Sequence, residues 1–292
     1  MNLLITGGSG FIGKNIIENF SNGYEIFAPS HKELDLLDED AVSDYFNKHK
    51  IDIVIHCAIK PGHRNASDHT GLLYSNTKMF FNLVRNESRY KKMIYFSSGM
   101  VYDPRFYQPK MKEDYFDCHV PEDESAFAKY IISKYIESKK NIVELRVFGI
   151  FGKYEDYAIR FISNLICKAI YDLPLTMKQN RLFDYIYIKD LMPILEFFMD
   201  DNPKENVFNI TPDKSAELLD IAKIIKKTSG KDLPIIVAKE GFGPTYSGDN
   251  SRLRNELSKL EFTGLESAVR ELYDWYLENK KSIDKEKLLI DK

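Results

Sequence analysis

Three glycines at GxxGxxG spacing, Gly7, Gly10 and Gly13, separate a short apolar run (residues 3–6) from an amphipathic stretch (14–20). No other feature of the chain restricts its fold as tightly. A strand that runs into such a turn and then into a helix makes a cradle for a dinucleotide pyrophosphate. Gly7 permits a turn too tight for a side chain, and Gly10 lets backbone N–H groups approach the anion. Gly13 lets the helix pack close to the sheet, with its positive end facing the phosphates.

With 292 residues and 43% hydrophobic content, the chain is long enough for two lobes around a sizeable core. A net charge of −3 gives no general attraction to nucleic acid or to an anionic membrane surface. No apolar run approaches the roughly 20 residues needed to span a bilayer. The first residues lack a basic region followed by a long apolar core, so a secretory leader is not expected. Cys57, Cys118 and Cys167 are far apart and lack metal-site spacing, so free thiols in a cytoplasmic protein are expected, and no metal.

Strands and helices alternate over the first 150 residues. Strands are predicted at 24–28, 33–36, 51–57, 93–97 and 142–148, and helices at 38–48, 70–90 and 125–139. The near-continuous apolar run at 51–57 suits a strand covered on both faces. Repeated βα units of this kind predict an α/β fold, a doubly wound parallel sheet of the Rossmann type. Beyond residue 150 the pattern loosens, with helices at 158–170, 190–199 and 218–227 and a strand at 184–188. A smaller, discontinuous α/β substrate-binding lobe is expected there. The dinucleotide-binding domain then comprises 1–150 and about 184–200, the lobe about 151–183 and 201–280, and a solvated tail 281–292.

Ligands of such a sheet bind beyond the carboxyl ends of its strands, where the glycine turn, His56, Ser97 and Ser98 gather. A lysine four residues after a tyrosine on a helix favours the phenolate and readies it for proton transfer. With 18 tyrosines the spacing recurs five times, at Tyr74/Lys78, Tyr130/Lys134, Tyr135/Lys139, Tyr185/Lys189 and Tyr276/Lys280. Tyr130/Lys134 is preferred, because it opens a helix about thirty residues after the Ser97–Ser98 strand end and a strand follows directly.

The stretches Thr6–Gly13, Ser97-Ser98-Gly99-Met100-Val101-Tyr102 and Tyr130-Ile131-Ile132-Ser133-Lys134 together resemble the extended short-chain dehydrogenase/reductase superfamily. Within it, Glu33–Asp38 and Ile53–Ala58 are similar to the nucleotide-sugar branch, as in GDP-fucose synthase and dTDP-4-dehydrorhamnose reductase. The resemblance implies Ser98, Tyr130 and Lys134 as the catalytic set, Lys134 also holding the nicotinamide ribose. It places further cofactor contacts at Gly7, Gly10, Phe11, Ile12, Gly13, Asp35 and Leu36. Others fall at Cys57, Ala58, Lys60, Asn76 and Ser97. Substrate contacts are expected from Ser98, Gly99, Met100, Arg160, Lys178, Arg181 and Tyr246, although Phe183 stands where the family has its substrate arginine. A homodimer through the Tyr130 helix is implied as well, and Phe127 and Ile131 permit it.

Departures from the family pattern sharpen the expected activity. Gly99 and Met100 replace the acid pair of the sugar dehydratases. Met100 and Arg160 replace the cysteine and histidine with which GDP-fucose synthases epimerise C-3 and C-5, and neither exchanges protons at neutral pH. The expected reaction is reduction of the C-4 ketone of a nucleotide-linked 4-keto-6-deoxy sugar, with Tyr130 as acid and no epimerisation. After the second strand come Ser30, His31 and Lys32, with no acid before Glu33, which favours NADPH over NADH. A nucleotide-sugar 4-epimerase that retains its NAD, or a non-catalytic nucleotide sensor, would share most of these motifs.

Overall fold

The computed structural model describes residues 1–63 and 65–290. Its centre is a six-stranded, wholly parallel sheet. In chain order the first part runs β1 (Asn2–Thr6), α1 (Phe11–Phe20), β2 (Glu25–Phe27), α2 (Glu39–Lys48) and β3 (Ile53–His56). It continues through α3 (Leu72–Val84), β4 (Lys92–Ser98), α4 (Glu124–Ile136) and β5 (Ile142–Val147). Across the sheet the order is Val207–Ile210, β5, β4, β3, β1, β2. The order reverses between β1 and β3, and the glycine turn leaves β1 at that switch point.

Both faces of the sheet are covered, as its apolar strands require. Leu4, Val54, Met93 and Ile142 pack beneath Ile132 and Ile136 of α4, with α2 and α3 alongside. On the other face, Ile5, Ile55 and Leu145 pack against α1, Leu191–Asp200 and the second lobe. Helix starts follow local chemistry. Asp38 caps α2 by accepting from Asp40 N–H and Ala41 N–H, both at 3.0 Å, and Asp123 caps α4 through Ala126 N–H at 2.9 Å.

Three expectations need correction. Residues 33–36 form turns, not a strand; Leu34 and Leu36 are buried at alternate positions, yet Glu33 N–H and Leu34 N–H close back onto Ser30 O. Val207–Ile210, assigned above to the lobe, pairs with β5 as an edge of the main sheet. The tail from Lys280 to residue 290 is anchored. Ile283 and Leu288 are buried in the main core, and Tyr171 Oη donates to Lys280 O at 3.0 Å.

The second lobe is built on Phe161–Ile170, Leu218–Ser229 and Leu265–Glu278, which pack together around a two-stranded parallel pair, Leu175–Asn180 with Ile235–Phe242. No helix among the described residues is long and apolar enough to cross a membrane.

Candidate active site

The glycine turn has the close approaches its sequence implies. Gly7 sits at φ +71°, and a Cβ there would lie 2.7 Å from Ala58 N. A Cβ on Gly13 would press on Gly7 O and sit 2.8 Å from Gly8 Cα, so no side chain fits without separating α1 from the turn. The N-cap of α1 is Gly10, which supplies no side-chain cap and leaves the first N–H groups free for an anion. A cavity of about 350 Å³ opens over the turn, lined by Gly7, Gly10, Ser30, His31, Cys57 and Ala58 among others. Leu36 lines it as well. These features fit a dinucleotide.

Not every expected contact reaches this cavity. Lys32 is exposed and lies outside the lining, and Asp35 is occupied by Leu37 N–H at 2.9 Å. Lys60 turns its ammonium to Asp68 at 2.6 Å. Phe11 packs at the edge of the core. The Glu33 carboxylate accepts from Ser30 N–H at 2.7 Å, and that bond holds its carboxyl below the usual range.

A second cavity, of about 160 Å³, adjoins the first and shares Cys57, Ala58 and Ile59 with it. His56 and Tyr95 line it, and the parallel register sets them in a polar row in which Thr6 pairs with His56, His56 with Tyr95, and Tyr95 with Glu144. His56 Nδ1 lies 2.7 Å from Thr6 Oγ1, and burial pushes the imidazole down to about 3, so it is neutral. Ile12, Asn76 and Ser97 also line the cavity. Asn76 accepts from Lys60 N–H at 2.8 Å and so ties α3 to the loop after β3. Ser97 Oγ is buried with no hydrogen-bond partner among the described residues.

From α4, the residues that reach the cavity are Ser125 and Lys129. The Lys129 ammonium makes no hydrogen bond or ion pair among the described residues and stands 6.0 Å from the centre of the Tyr95 ring. Burial pushes its amine down to about 8, although Glu144 opposes the shift.

The expected catalytic pair is therefore corrected. Tyr130 and Lys134 line neither cavity. Tyr130 lies within α4 rather than opening it, its ring between Phe116 and Phe127 at 5.2 and 6.1 Å. Its hydroxyl donates to the Asp117 carboxylate, and that bond, followed by burial, raises the phenol pKa instead of lowering it. Lys134 is paired with Glu137 at 2.7 Å and Asp117 at 3.1 Å, which raises its pKa too. The physical reason is the helix turn of about 100° per residue, which swings Tyr130 away from the face that Lys129 occupies. Four residues before Lys129 stands Ser125, so the helix brings an alcohol here in place of a phenol.

Ser98 also differs from expectation. Its Oγ accepts from Met100 N–H at 3.2 Å and caps the turn Gly99–Val101, while Ser97 takes the place in the cavity. The serines alternate because successive strand residues face opposite sides.

The lobe contributes a third cavity, of about 370 Å³, lined by Asn164, Lys178, Arg181 and Tyr185. Arg181 lies 5.1 Å from the Phe183 ring. Arg160 is exposed at the N-cap of Phe161–Ile170 and does not line that cavity. Tyr246 is packed against Phe148 and Phe183 at 4.9 and 4.8 Å. Gly99 lies against the same aromatic group, where a Cβ would meet Phe148 and Tyr246, and Met100 is exposed beside it.

The sequence matches the model of a known family over residues 3–211, which spans the sheet, the glycine turn and α4. The chain belongs to the NAD dependent epimerase/dehydratase family. Among curated members, it is 23% identical over 309 aligned positions to GDP-L-colitose synthase of Yersinia pseudotuberculosis, covering 96% of this chain and 99% of that one. In fold it is similar to a GDP-L-fucose synthetase from Naegleria fowleri bound to NADP, with TM-score 0.81, 18% identity and coverage of 96% and 95%. It is also similar to a GDP-mannoheptose C4 reductase from Campylobacter jejuni with NADP bound, with TM-score 0.82, 20% identity and coverage of 94% and 98%.

Ser125 and Lys129 escaped the motif search because it began from tyrosines. A signal was present nonetheless. Traced back from Ile136 and Ile132 at helical spacing, the sheet-facing stripe of α4 passes through Lys129 and Ser125, not through Tyr130 or Lys134.

Proposed function

We propose that the protein reduces the C-4 ketone of a nucleotide-linked 4-keto-6-deoxy sugar with NADPH and does not epimerise C-3 or C-5. The observation that carries this reading is the cavity of Lys129 and the unpartnered Ser97 Oγ, opening directly off the glycine cradle. When bound, the reduced dinucleotide supplies a hydride. Gly7 and Gly10 would hold its pyrophosphate through backbone N–H groups, and Ser97, Asn76 and Lys129 would face its nicotinamide end.

Preference for the 2′-phosphate is supported at the other end of the cradle. His31 and Ser30 line it, and the Glu33 carboxylate is turned onto the Ser30 N–H, while Asp35 Oδ1 lies 3.6 Å from His31 Nδ1. Two structural neighbours have NADP bound. Lys178, Arg181 and Tyr185 supply cationic and aromatic surface for a nucleotide diphosphate in the lobe. The absence of epimerisation is supported by the thioether of Met100 and by Arg160, neither of which exchanges protons near neutrality. A homodimer through α4 is in keeping with the partly exposed Phe127 and Ile131.

The test offers GDP-, dTDP-, UDP- and CDP-linked 4-keto-6-deoxy sugars with NADPH or NADH in deuterated water. Expected is oxidation of NADPH with one of them, and no deuterium at C-3 or C-5 of the product. Deuterium at either carbon would remove the non-epimerising reading. Copurified NAD with no net NADPH consumption would favour a 4-epimerase.

A further inference from the structure

We propose that Lys129 is the proton donor of this site and passes its proton through the hydroxyl of Ser125. The proposal rests on the reductase reading above and replaces the phenol on which that chemistry was expected to depend. Both residues lie on one face of α4, four apart, and both line the cavity that adjoins the dinucleotide cradle. Lys129 is unpaired there among the described residues, whereas Lys134, one turn on, is held by two carboxylates.

The other groups around the cavity are poorer donors. His56 on β3 is neutral and tied to Thr6, and its value of about 3 leaves it uncharged across the working range. Burial pushes the Cys57 thiol well above its usual range. Tyr95 on β4 is likewise raised by burial and by Glu144. Glu144 on β5 ends the row with Ser133 Oγ–H and Arg146 on its two oxygens, and α3 contributes the uncharged Asn76. Lys129, at about 8, is the one group lining this cavity among the described residues whose proton is held near neutral pH.

As the carbonyl carbon gains a hydride, the C=O π pair moves onto oxygen. That oxygen takes the proton of Ser125, breaking its O–H bond, and the serine oxygen takes a proton from the Lys129 ammonium. Lys129 is left as a neutral amine and regains its proton from water.

The experiment uses the full chain labelled with ¹³C at lysine Cε, together with Lys129→Arg and Ser125→Ala. Expected is one lysine titrating at about 8, absent from Lys129→Arg. With the sugar that turns over, kcat should fall as pH rises through about 8. Lys129→Arg should lower kcat by about 100-fold or more and lose that limb, with NADPH affinity by fluorescence within about threefold of the parent. Ser125→Ala should lower kcat by about tenfold and keep the limb. A Lys129 signal that titrates near 10.4 overturns the assignment, as does Lys129→Arg turning over at the parental rate. An NADPH-binding protein that reduces none of the sugars overturns the reductase reading, and this assignment with it.

Discussion

Lys129 and Tyr130 are adjacent in the chain, yet their ionisable groups meet opposite surroundings. The lysine enters a cavity where no anion among the described residues is in contact, so burial penalises its charge and its amine falls to about 8. The tyrosine faces outward to Asp117, which stabilises the protonated phenol. Tyr130→Phe should leave kcat within about twofold, read by NADPH oxidation, because the hydroxyl it removes serves Asp117 rather than the cavity. Lys129→Met should abolish turnover while raising stability by about 1–3 kcal/mol at pH 7, since it removes an unpaired ammonium from a desolvated site. The sign follows from a folded pKa depressed below the ordinary value of about 10.4. The parent's stability from this group is present above about 10.4 and is lost as pH falls through about 8. Denaturation curves of the two proteins should therefore differ most below pH 8 and converge above 10.4.

At the scale of elements, α1 and α4 place the site by different means. Helix α1 is docked by contact, because Gly13 lies against the backbone of Gly7 and Gly8. Gly13→Ala should cost about 1–3 kcal/mol, through displacement of α1, and should weaken NADPH binding measured by fluorescence titration. Helix α4 is docked by its stripe: Ile132 and Ile136 enter the core, Ser133 bonds Glu144, and Lys129 and Ser125 follow on the same side. The terminal turns act on the lobe. Leu288 is 1% exposed and packs into the main core, so Leu288→Ala should cost about 2–4 kcal/mol in urea denaturation.

Across the whole molecule, a dinucleotide that binds the folded chain alone should stabilise it by about 2.7 kcal/mol at a hundredfold excess over its Kd. On the cofactor reading, NADPH should raise the melting temperature at lower concentration than NADH, and Gly13→Ala should abolish the difference. The sheet that creates the binding edge was legible in the chain because βα alternation and the glycine turn are local patterns. Its edge strand, Val207–Ile210, was not, since it pairs with β5 some sixty residues earlier. Residues 33–36 misled through Leu34 and Leu36, whose alternation suits a strand while the backbone closes turns onto Ser30.

The chain alone determined the dinucleotide cradle and the parallel sheet, because both depend on residues within a few positions of one another: glycines that a Cβ would obstruct, and apolar runs of strand length. Only the tertiary structure decided which of several tyrosine–lysine spacings, if any, met the cofactor edge. The answer depends on the rotation of one helix about its axis, and packing of Ile132 and Ile136 against the sheet sets that rotation. Spacing along the chain is the same for every such pair, and burial is what separates them.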